Sequence, residues 1–246
     1  MIESSPYPYI IIVGTGSSGT RYTARLFERG GVKVAHEQLG ADGVSSFYIS
    51  LGHNFFRPPH GGPAYGVIMD LLRKVNRRHV IIHQTRDPLK TISTFQRSSP
   101  KTWLFITRHV PHITREMPIV ERCMNYWLYW NLCAEIIADW HCKVEDIDSR
   151  FKEWCDVIER PKLYHMRRFM FELPRTVNTR VGYYSPLSWD ILWQTDPHLT
   201  KQIIQKGRQY GYSIDFPIAD VSWLSHNNRE ECHSPLCVWC NDDGLH

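Results

Sequence analysis

The sequence predicts an α/β fold, a three-layer α/β/α sandwich around a central parallel sheet of about four or five strands. Three observations carry this reading. Short continuous runs of β-branched and apolar residues, Tyr9 to Val13 (YIIIV) and His79 to Gln84 (HVIIHQ), suit strands buried on both faces. Each run leads at once into a turn signal. Each turn leads into a segment of helical periodicity, which is the alternation of βαβ units.

The elements follow in chain order. After the first strand comes a Gly/Ser loop, Gly14 to Gly19. A helix over Thr20 to Arg29 follows, with Tyr22, Leu26 and Phe27 on its apolar side and Gly30-Gly31 ending it. Val32 to Ala35 reads as a second strand. A loop with Pro58, Pro59, Gly61 and Gly62 precedes a helix over about Tyr65 to Val75. After the strand at His79 to Gln84, Pro88 opens a helix to about Phe95, since proline is well tolerated in a first turn. Ile119 to Asp139 is the longest helical pattern, and Cys142 to Val144 a further strand. Asp148 to Ile158 and Pro197 to Arg208 read as later helices. Periodicity is lost beyond Asp215. The expected organisation is a nucleotide-binding domain over residues 1–214 with an irregular, Cys-containing tail over 215–246.

Composition narrows the function. The chain has 246 residues, 29 Lys+Arg against 25 Asp+Glu, and a net charge of +4. No basic block points to nucleic acid, yet a small anionic ligand is allowed. There is no apolar run long enough for a membrane span. MIESSPYPY lacks the charged and apolar regions of a secretory leader, so a soluble, cytoplasmic protein is expected. The seven cysteines are then mostly reduced thiols.

Ligands of such sheets bind at the carboxyl ends of the strands, and the residues there are informative. Gly14-Thr15-Gly16-Ser17-Ser18-Gly19-Thr20-Arg21 joins strand to helix. Glycines allow a sharp turn with exposed N–H groups, and the helix start adds its own N–H groups and positive dipole end. Together they form an oxyanion cradle, with hydroxyls from Ser17, Ser18 and Thr20. A plain strand–helix connector is the bland alternative. The loop satisfies a dinucleotide fingerprint, but no acidic residue closes the next strand at the usual spacing. It nearly satisfies a Walker A loop, but Thr20 and Arg21 stand where Lys and Ser/Thr should be. The cradle therefore suits phosphate or sulfate without a required metal. A second anion motif, Gln84-Thr85-Arg86-Asp87-Pro88, leaves the third strand. Arg86 can fork onto an oxyanion, and Ser93 or Thr94 can return toward it.

On these two segments the chain resembles sulfotransferases that use 3′-phosphoadenosine 5′-phosphosulfate (PAPS), best over about residues 9–100 and less over about 120–210. The resemblance implies that the loop including Gly16, Ser17, Ser18, Gly19, Thr20 and Arg21 cradles the 5′-phosphosulfate. It implies that Arg86 and Thr94, with Ser93 as a substitute, bind the 3′-phosphate, and that adenosine 3′,5′-bisphosphate (PAP) is the product. The family's basic residue before Ser-Gly-Thr is Ser17 here. Arg21, or a cation from another segment, must then stabilise the leaving group. Otherwise the protein is slow, or binds nucleotide without turnover.

His36-Glu37 follows the second strand, on the same rim as the loop. A carboxylate or imidazole there can take the proton of an attacking hydroxyl, so Glu37 is the expected base, with His36 orienting or replacing it. Asp42 is a third candidate, with capping of a helix begun near Val44 as its more ordinary role. Tyr126, Trp127, Tyr129 and Trp130 read as core rather than as an adenine stack. Arg167 and Arg168 read as an anion contact or a solvated basic face. Cys232, Cys237 and Cys240 form a candidate zinc set, weakened by the lack of a second CxxC pair. The expected function is sulfuryl transfer from PAPS to a hydroxyl of a carbohydrate or small molecule by in-line displacement. The alternatives are a P-loop kinase and a catalytically degenerate nucleotide binder.

Overall fold

The computed structural model describes residues 4–54, 64–110, 112–174 and 186–217. The tail cysteines Cys232, Cys237 and Cys240, with the zinc expectation attached to them, lie outside the described residues, as does most of the segment from 215 onward. Five strands form one sheet in the order β2-β3-β1-β4-β5, all parallel: β1 Tyr9–Val13, β2 Val34–His36, β3 Gly43–Ser45, β4 His79–Thr85 and β5 Trp140–Lys143. The α/β fold class read from the alternation is the observed one.

Burial on both faces explains the unbroken apolar runs. Ile10 and Ile12 of β1 point into a cluster with helix α1 (Thr20–Arg29) and helix α6 (Phe151–Val157). Tyr9, Ile11 and Val13 point the other way, toward α2 (Tyr65–Lys74) and α5 (Ile119–Ile137). A third cluster lies among α5, α3 (Pro88–Phe95), α4 (Pro100–His109), α8 (Trp189–Thr195) and α9 (Pro197–Gln209). Tyr126, Trp127 and Trp130 are buried in it, so the aromatic run of α5 is core. The short helix α7 (Arg167–Met170) packs on the α1 side. None of the described helices is long and apolar enough to cross a membrane.

Local chemistry sets the boundaries. Gly19, in the left-handed region at φ 91°, is the N-cap of α1, and Gly30 ends that helix. Asp87 caps α3 by accepting the Lys90 N–H, with Pro88 in the first turn. The second strand starts at Val34 rather than Val32, because Val32 N–H closes the end of α1 on Phe27 O.

The helix expected near Val44 is corrected: Gly43–Ser45 is strand β3, inserted between β2 and β1. Parallel neighbours usually need a crossover of about a dozen residues or more, yet only residues 37–42 join β2 to β3. Both strands are three residues long, so the chain has little distance to retrace. Glu37 turns it with φ 58°, in the left-handed region. Glu37 N–H donates to Ser45 O, Gly40 N–H to Gly43 O, and Asp42 N–H to Lys33 O. Asp42 therefore caps no helix. It lies at the opposite rim from the glycine loop and is no candidate base.

Candidate functional site

The C-terminal ends of β1, β2, β3 and β4 bring together the glycine loop, His36-Glu37, Ser46-Phe47 and Arg86. The loop is held from outside, carbonyl by carbonyl. Ser50 Oγ accepts from Gly14 N–H and donates to Gly14 O, both at 3.0 Å. Arg86 Nη1 donates to Ser17 O at 3.1 Å. Gln84 Nε2 donates to Ser18 O at 2.9 Å, while its Oε1 accepts from the Thr23 hydroxyl at 2.6 Å. Gly16 N–H donates to the Tyr126 hydroxyl oxygen at 2.7 Å, and the Tyr126 ring stacks on Phe95 at 4.0 Å.

While the carbonyls of Gly14, Ser17 and Ser18 are engaged, the loop keeps the N–H groups of Ser17, Gly19 and Thr20 without an acceptor among the described residues. The Ser18 hydroxyl is buried without a partner. Such donors at a helix start suit an oxyanion. Ser17 sits at φ 71°, in the left-handed region. A side chain at Gly14 would meet Gln84 O at 2.2 Å, so the loop must approach the end of β4 through glycine.

The second anion motif is braced separately. Glu145 Oε1 accepts Asp87 N–H at 3.0 Å, and Glu145 Oε2 accepts the Tyr212 hydroxyl at 3.2 Å. Ser93 is turned into the protein, donating to Leu89 O and accepting Leu187 N–H, and is 2% exposed. Thr94 is half-buried, its hydroxyl donating to Lys90 O at 2.7 Å. Of the two hydroxyl candidates, only Thr94 reaches the surface.

On the acceptor side, Glu37 accepts the Ser46 hydroxyl and, at 3.4 Å, Phe47 N–H. Burial raises its carboxyl to about 7, outweighing both hydrogen bonds. His36 Nε2 lies 3.8 Å from Glu37 Oε1 and 3.5 Å from Thr20 Oγ1. Burial, reinforced by the charges of Arg21 and Arg25, holds its imidazole down at about 4, so it is neutral at neutral pH. Arg21 therefore projects its positive field onto this rim from the first turn of α1. Arg167 pairs with Asp148 at 2.6 Å, while Arg168 is exposed. Among the described residues no cluster of His, Cys, Asp and Glu is arranged to hold a metal ion.

Sequence reasoning missed Ser50, Tyr126 and Glu145 as supports of these loops. They lie 36, 110 and 58 residues from the groups they hold, so no local motif marks them.

No known family profile and no curated protein matches this chain. Among solved structures, a mouse sulfotransferase, SULT7A1 complexed with PAP, is similar at 10% identity with a TM-score of 0.43, covering 86% of this chain and 91% of that one. The fold class rests on the strand order and register above; at this identity and score the likeness adds nothing about activity.

Proposed function

We propose that this chain is a PAPS-dependent sulfotransferase acting on a hydroxyl of a carbohydrate or small molecule. The observation that carries the reading is the bond from the Arg86 guanidinium to Ser17 O, which supports reading the two motifs as parts of one site. In this reading the N–H groups of Ser17, Gly19 and Thr20 hold the 5′-phosphosulfate, and Arg86 and Thr94 hold the 3′-phosphate. Glu37 takes the acceptor's proton as the acceptor oxygen bonds to sulfur. The bond from sulfur to the 5′-phosphate oxygen breaks, and its electron pair leaves with PAP. A carboxyl titrating near 7 suits that transfer, because it is substantially ionised at neutral pH and still basic. Arg21 supplies positive charge for the leaving phosphate in place of the basic residue absent at Ser17.

Ser17 favours a second reading, a nucleotide binder without turnover, because losing one charge-stabilising donor costs on the order of 100-fold or more in rate. Two measurements decide. PAP without metal should raise the melting temperature by mass action; stabilisation only by ATP with magnesium would indicate a kinase. Label transfer from PAPS to an acceptor panel should then be observed. PAP binding with no transfer to any acceptor would establish the second reading.

A further inference from the structure

Nine large apolar side chains stand out into solvent among the described residues, and four of them gather at one corner of the N-terminal rim: Tyr7, Tyr164, Met166 and Phe169, at 38, 44, 39 and 50% exposure. The other five are scattered over the β2–β3 connection, α2, α5 and α8. The corner is built on the segment Pro161–Met170, a 3₁₀ turn running into α7. Leu163 and Met170 anchor it in the core, and Met170 rests against Gly30 at the end of α1. Arg29 donates to Phe169 O at 3.0 Å and stacks 4.4 Å over the Phe169 ring. The backbone is thus pinned, and the apolar tips are held outward.

Exposed cationic side chains lie between those tips. Lys162 and Arg168 face solvent, as does His165. Of the nearby acids, Glu159 pairs with Arg78, Asp148 with Arg167 and Glu172 with Arg29 inside the corner, while Glu28 stands exposed at the end of α1. Beside them a cleft floored by Gly30 and Gly31 is walled by Tyr7, Lys162 and Met166. Large apolar tips beside Lys162 and Arg168, which pair with no acid among the described residues, are what an interfacial anchor requires: the rings enter the headgroup layer while Lys and Arg meet its phosphates. A second copy of the chain would set these cations against their equals. The tips stand out rather than line a groove, which suits a yielding surface better than a folded partner.

We propose that this corner docks the protein on an anionic phospholipid surface. The glycine loop, on the opposite rim, then faces away from the bilayer, and docking leaves it open. The inference stands apart from the proposed activity. The test is sedimentation of the full chain with phosphatidylcholine vesicles, with and without about 30% phosphatidylserine. Protein should pellet with the phosphatidylserine vesicles, less so as salt shortens the Debye length from about 10 Å to about 3 Å. Lys162→Ala and Arg168→Ala should each lower the partition coefficient about fivefold. Phe169→Ser should lower it as well, and Val67→Ser, on α2, should not. All four should keep the parent's melting temperature. Equal partition onto both vesicle types, none onto either, or unchanged partition in the Lys162 and Arg168 variants would overturn the proposal. Binding to soluble poly-glutamate without vesicle binding would overturn it in favour of an acidic protein partner.

Discussion

The two rims of the sheet are built from similar residue types and put to opposite use. At the N-terminal rim, the buried Arg77 donates to Tyr7 O, to Ala41 O at 2.7 Å and to Asp42. Asp42 also takes Lys33 N–H and Arg160, and Arg160 stacks on Tyr7. Burial would raise the Asp42 carboxyl, but Lys33 N–H and the two guanidiniums outweigh it and hold it below its ordinary value. At the C-terminal rim, Glu37 is enclosed with no cation in contact among the described residues, and burial raises its carboxyl to about 7. Two guanidiniums and a backbone N–H converging on one carboxylate make the first rim a clamp. The loop N–H groups and the Ser18 hydroxyl, without acceptors among the described residues, and the uncharged surroundings of Glu37 make the second the rim where we propose that a ligand binds.

Four changes probe that contrast. The largest effect should come from Glu37→Gln, lowering sulfate transfer about 10³-fold, within the range for loss of a general base. PAP affinity should be unchanged; near-normal turnover would remove Glu37 from the chemistry. At the clamp, Arg77→Met should lower the unfolding free energy in urea by about 3 kcal/mol, the cost of leaving the carbonyls of Tyr7 and Ala41 without their donor. PAP affinity of the folded fraction should not change. Arg86→Ala should weaken PAP binding about 10- to 100-fold, the value of a charge-assisted hydrogen bond. Binding of 5′-AMP, which lacks the 3′-phosphate, should weaken less. An equal loss for both ligands would show that Arg86 acts only by holding Ser17 O.

The smallest effect concerns pH. Glu37 titrates at about 7 in the fold against 4.5 unfolded, so its contribution to stability is full below pH 4.5 and lost as pH rises through 7. His36 titrates at about 4 against 6.5 unfolded, so its contribution is full above pH 6.5 and lost as pH falls through 4. The two oppose each other across the same window. Glu37→Gln should unmask a protein that weakens as pH drops from 6.5 to 4, and His36→Asn one that strengthens, each by on the order of 1–2 kcal/mol in pH-dependent urea melts. Parallel slopes in both variants would break the assignment. Transfer by the unmodified protein should rise with pH through about 7 and then level.

What was legible in the sequence was local. The YIIIV and HVIIHQ runs, the glycine loop and the Asp87-Pro88 helix start are each set by neighbours in the chain. The β3 strand was not, because a three-residue Gly-Val-Ser element carries no periodicity and its six-residue parallel connection lies outside the usual crossover length. Helix α4 did carry a signal, the Ser99-Pro100 cap pair, with Ser99 accepting Thr102 N–H. At the site, Glu37, Arg86 and the loop could be named as chemistry. Their tuning could not, since the groups that hold the loop arrive from distant elements and the Glu37 shift comes from packing around it.

The support of the glycine loop also has a consequence for synthesis. Gly14 waits for Ser50, Ser18 for Gln84, Ser17 for Arg86 and Gly16 for Tyr126. A chain emerging from the ribosome therefore displays the loop before its supports and cannot finish it until α5 has been made. Throughout that interval the loop stands without its full set of supports, and the site proposed above is completed only once α5 is in place.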